Sequence, residues 1–166
     1  MIRAATALFA VLLPAAAAAA CPDPVKADVS PRTVAQLMRW IDSNTEYDTA
    51  DTPEPQIVFC ATDITIALSD DTMLADPALR AAYDPATATI YMTAPWSPVD
   101  PEITSTLLHQ LIHHVQIHAR DWPCPQATEF EAYWLQDQWL DEQGYGTGFD
   151  WTQILVDSHC PVTSRP

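Results

Sequence analysis

His109 and His113 stand four residues apart in the stretch "LLHQLIHHVQ", residues 107–116, so on a helix they lie one turn apart on one flank. Two imidazoles placed so on a rigid helix can converge on one zinc ion. His114 and His118 repeat the spacing on the opposite flank of the apolar stripe, and the two pairs cannot share a metal. A catalytic zinc needs a third protein ligand and an open position for water. The helix expected over about residues 128–143 offers Glu129 and Glu131.

In this arrangement the chain resembles the zincin metallopeptidases, and among them the gluzincin type, which carries His-Glu-x-x-His on one helix and a glutamate on a later one. The first part stands here as His109-Gln110-Leu111-Ile112-His113. In several such families the later glutamate is followed at the third position by a small residue and at the fourth by an aspartate that supports a zinc-bound histidine. Glu129 with Ala132 fits the small position, whereas counting from Glu131 puts Trp134 there, so the resemblance implies a zinc site of His109, His113 and Glu129.

The resemblance covers roughly residues 87–140 and departs twice. Tyr133 replaces the supporting aspartate, and Gln110 stands where the general base belongs. A glutamine amide can hydrogen-bond a water but cannot take its proton at neutral pH. General acid–base catalysis is worth about a hundred- to ten-thousand-fold in rate, so the implied protein is a weak or inactive peptidase that keeps zinc and a cleft for an extended peptide or protein beside the strand at 87–93. Two alternatives stay open: an active zinc metallohydrolase with another group as base, and a metal-free, disulfide-stapled binding or structural domain in which the histidines are incidental. Glu131 reads as a solvated helix residue, with third ligand or substitute base as its other roles, and His114 and His118 carry no chemistry.

The elements that must position these residues follow from pattern. Ser30 can cap and Pro31 can open a helix whose Val34, Leu37, Met38 and Ile41 follow helical spacing. "QIVFC" at 56–60 predicts a short strand. A short helix around Ile64–Leu68 and an Asp-rich loop fill 61–80, then a turn at Asp84 and Pro85 leads to a strand over 87–93. Leu108, Leu111, Ile112 and Val115 make the apolar stripe of a helix from about Pro101 to His118. A further helix starts near Pro125 or Thr128 and stops at Gly144, and "DWTQILVDS" predicts a last short one. The order implies an α+β fold: a small zincin-like domain with a short antiparallel or mixed sheet packed on two principal helices and stabilised by disulfides.

Residues 1–20 read as a secretory signal peptide: one basic residue, an apolar run too short to span a bilayer, then alanines before Cys21. Residues 21–166 then form a single domain, exported to a periplasm or secreted. Ala18 stands where a lipoprotein signal usually carries Leu, so disulfide use of Cys21 is preferred to lipid anchoring. Cys21, Cys60, Cys124 and Cys160 suffice for two disulfides, with three connectivities open, and a Cys124–Cys160 bridge would pin the corner between the motif helices for roughly 3 kcal/mol.

The chain has 7 basic and 22 acidic residues, a formal charge of -15; losing Arg3 with the leader leaves 6 against 22, or -16. Such a surface repels phosphate backbones and anionic lipids, which argues against nucleic-acid and membrane-surface partners. No second apolar stretch is long enough for a membrane span.

Overall fold

The computed structural model describes residues 21, 23–61, 74–75 and 80–161. The expected leader and the expected helix around 64–68 lie outside these residues.

Helix α1 spans Pro31–Asn44; the Ser30 side chain accepts from Thr33 N at 3.1 Å, and Val34, Leu37 and Ile41 turn inward. Helix α2 spans Pro101–Ala119, with Asp100 accepting from the amides of Glu102 and Ile103. A 3-10 turn, Pro125–Thr128, runs directly into α3, Glu129–Glu142, so both starting points read in the sequence exist, one for each kind of helix. The last helix, α4, is Trp151–Asp157.

Among the described residues five strands form one mixed sheet: β1 Pro24–Val25, β2 Gln56–Cys60, β3 Leu74–Ala75, β4 Ala81–Asp84 and β5 Thr89–Thr93, in the order β1-β2-β5-β4-β3. β2 runs parallel to β5 with Phe59 opposite Met92, and the other pairs are antiparallel. The segment before α1 thus contributes a strand of its own, β1, paired with β2. The strand expected over 87–93 begins two residues later, because Ala88 takes a positive φ of 51° in the turn from β4. β5 has a neighbour on each side, so its backbone groups are committed to the sheet and it offers no free edge for a peptide.

α2 is the axis of the domain, packed against the sheet through β4 and against α3 and α1. Leu107, Leu108, Leu111 and Ile112 form a core with Ile41, Phe59, Ile90, Met92 and Leu135. Burial extends around the whole helix: every residue from Thr104 to Gln116 is buried, including His109, Gln110, His113, His114 and Gln116. The stripe with polar flanks expected from the sequence is therefore only half of the pattern, since α3 covers the flank that the stripe leaves. Polar side chains in such a place need partners, because burying one unpaired costs about 1–3 kcal/mol.

Disulfides join Cys21 to Cys60, tying β1 to β2, and Cys124 to Cys160, tying the entry of the 3-10 turn to the exit of α4. Both suit an oxidising compartment. Among the described residues no helix is long and apolar enough to cross a membrane.

Candidate metal centre

Because α3 begins at Glu129 and packs along α2, its first carboxylate is delivered to the His109–His113 face. His109 Nε2 and His113 Nε2 lie 2.9 Å apart, and Glu129 Oε2 lies 3.4 Å from the first and 3.5 Å from the second. Among the described residues these three form a group able to hold a metal ion, one ligand atom from each within 4.8 Å of the others. The structure therefore brings Glu129, and not Glu131, to the histidines.

Which ring nitrogens carry protons follows from the groups behind them. The Gln116 amide meets two acceptors, Thr128 O at 3.1 Å and Glu131 Oε2 at 2.8 Å, so its NH2 faces them and its carbonyl oxygen faces His113 Nδ1 at 3.1 Å. The Thr128 hydroxyl donates to Pro125 O at 2.7 Å and so also accepts from His113 Nδ1, at 3.1 Å. A nitrogen facing two acceptors bears the hydrogen, which leaves Nε2 with its lone pair.

Behind His109, the Ser105 hydroxyl donates to Glu102 O at 2.8 Å and accepts from Gln136 Nε2 at 3.0 Å. That turns Gln136 Oε1 toward His109 Nδ1, also at 3.0 Å. Two imidazole lone pairs and a carboxylate oxygen thus point at one another, and no hydrogen bond from the protein reaches that oxygen. Groups of this kind at such distances repel unless a proton or a metal cation lies among them. Burial pushes the Glu129 carboxyl up, but its proximity to His113 first and His109 second outweighs it and holds the group below the ordinary carboxylate range.

Tyr133 stands where the resembled families have their supporting aspartate, and its ring packs on His109 with centroids 4.5 Å apart. Gln136 supplies the support instead. It lies seven residues after Glu129, two turns along the same face, and that period was the only trace of it in the sequence.

Gln110 is fully buried, and neither atom of its amide has a hydrogen-bond partner in the protein. Its helical neighbour three residues on is the ligand candidate His113. Glu131 is only partly the solvated residue expected: half-buried, it accepts from Gln116 and from the Tyr47 hydroxyl. Its carboxylate is therefore engaged by Tyr47 and Gln116 and is not placed as a substitute base.

The second histidine pair has another role. His114 Nε2 donates to Pro53 O at 2.7 Å, so its Nδ1, 2.9 Å from the Tyr83 hydroxyl, accepts from it. Burial lowers the pKa of His114, with the Pro53 carbonyl opposing and His118 reinforcing, while burial followed by the charge of Asp84 pushes Tyr83 up to about 12. His118 is exposed, and its Nδ1 bonds the carbonyl of His114 at 2.8 Å. Of three tryptophans on or near these helices, Trp139 packs partly on the core, Trp122 donates to Gln116 O at 3.0 Å, and Trp134 is exposed.

A family model described as "Domain of unknown function (DUF6647)" matches residues 26–165. No curated protein and no solved structure matches the chain.

Proposed function

The chain belongs to the DUF6647 family, and from that premise we propose that it is an exported, zincin-like domain that holds zinc through His109, His113 and Glu129 and is weak or inactive as a peptidase. One observation carries the reading: two imidazole Nε2 atoms and one carboxylate oxygen without a hydrogen-bond donor converge within 4.8 Å. Two nitrogens and one oxygen on a rigid helical frame suit zinc, with a fourth position left for a ligand. The four cysteines are bridged in pairs and are not ligands.

Zinc in such a site lowers the pKa of a bound water and polarises a carbonyl. The residues around it do not complete that chemistry. Gln110 has no proton-accepting carboxylate to offer, and Glu131, the nearest other acid on α3, is turned to Tyr47 and Gln116. The domain is therefore built to retain a ligand more than to turn one over. A peptide ligand would not use β5, whose edges are both occupied.

The test is peptide hydrolysis by zinc-loaded wild type and Gln110→Glu, with and without a chelator. The expected result is background activity in the wild type and a gain of about a hundred- to ten-thousand-fold in the variant, removed by the chelator. A chelator-sensitive wild-type rate that Gln110→Glu does not raise would show that another base is at work.

A further inference from the structure

We propose that Glu131 is a positioning residue for His113, acting through the Gln116 amide on the side of the ring away from the metal site. A glutamine amide has nearly the same shape either way round, so only its neighbours decide whether oxygen or nitrogen faces a given atom. Around Gln116 the decision is forced, because Glu131 Oε2 and Thr128 O can only accept. The carboxylate bond, at 2.8 Å, is the shorter of the two and is charge-assisted.

Tyr47, in the segment after α1, donates to the same oxygen and tethers the carboxylate in place. Arg120 lies 6.0 Å over the Tyr47 ring and 4.0 Å over that of Trp122, so the relay ends at the surface beneath a guanidinium. Its effect is to oblige His113 Nδ1 to carry the hydrogen and Nε2 to present its lone pair. The corresponding relay behind His109 ends on the Ser105 hydroxyl and not on a carboxylate. Metal-bound histidines are commonly oriented by an acceptor on their other nitrogen, and here the carboxylate acts from one amide further away.

The metal part of this inference rests on the zinc reading, but the protonation part does not, and the experiment separates them. Metal-free protein with 15N-labelled histidine reports which His113 nitrogen bears hydrogen, and a competing chromophoric chelator reports zinc affinity. Wild type should show hydrogen on Nδ1. Glu131→Gln, which can still accept from Gln116, should lose less than about tenfold in zinc affinity. Glu131→Lys sets a donor against the amide and should turn it, move the hydrogen of His113 to Nε2 and cost about 10- to 100-fold.

Hydrogen on Nε2 of the wild type would overturn the proposal, as would unchanged affinity in both variants or equal losses that follow thermal stability alone. Should Glu131→Lys fail to fold, the wild-type protonation pattern and Glu131→Gln still decide. If the wild type takes up no zinc, the metal reading fails, and the nitrogen shifts judge the relay by themselves.

Discussion

α2 carries two pairs of histidines with the same spacing, and their surroundings give them opposite characters. His109 and His113 have acceptors behind them, Gln136 on one ring and Gln116 with Thr128 on the other, so their Nε2 lone pairs face Glu129. His114 gives its Nε2 hydrogen to Pro53 O and takes a bond from Tyr83, so both nitrogens are used up between α2, β4 and the loop before β2. His118 needs only its own helix and water. The difference teaches that four-residue spacing is permission for a metal site, and that the hydrogen-bond polarity of the neighbouring element decides whether the permission is used.

That contrast can be broken in order of expected effect. Replacing His114 by Ala removes a fully buried side chain with two partners and should lower stability by about 2–4 kcal/mol, with zinc stoichiometry unchanged, read from a denaturant titration beside a metal analysis. Zinc loss in that variant without loss of fold would merge the two pairs into one site.

A smaller effect is expected from pH. An ordinary histidine titrates near 6.5, and burial places His114 below that in the folded chain. Between the lowered value and 6.5 the unfolded chain binds the additional proton, so the contribution of His114 is full above about pH 6.5 and is lost as pH falls through the lowered folded value. Stability of the metal-free protein should decline on acidification through that window, and His114→Gln should flatten the decline; an unchanged slope would mean that the ring is solvated. The smallest effect belongs to His118→Ala, an exposed position, which should stay within about 0.5 kcal/mol of wild type and keep its zinc.

How much of this was legible in the sequence depends on how local each feature is. The bounds of α1 and β2 followed from a capping serine, an N-terminal proline and a β-branched run, and α2 and α4 came within about a residue. β4 was missed because Ala81-Ala82-Tyr83-Asp84 is buried throughout and shows neither alternation nor β-branching. β1 was missed because two residues, Pro24 and Val25, become a strand only through pairing with β2.

At the site, His109, His113 and Glu129 were visible because ligand spacing is written along one helix and at the first turn of the next. Gln116, Thr128, Gln136 and Ser105 were not assigned, since their roles depend on which atom of an amide or hydroxyl meets which ring after α2 and α3 pack. Glu131 was partly misread for a similar reason. Helical period turns it away from Glu129, and Tyr47, 84 residues earlier, donates to its carboxylate.

The measurement that bears most directly on the metal centre is the zinc content of oxidised protein, purified without a histidine tag, beside His109→Ala, Glu129→Ala and His114→Ala. The account predicts one zinc per wild-type chain, retained by His114→Ala and lost from the other two, whose affinity should fall by roughly a hundredfold or more. No zinc in the folded wild type even when zinc is supplied, or zinc retained by both His109→Ala and Glu129→Ala, would contradict it.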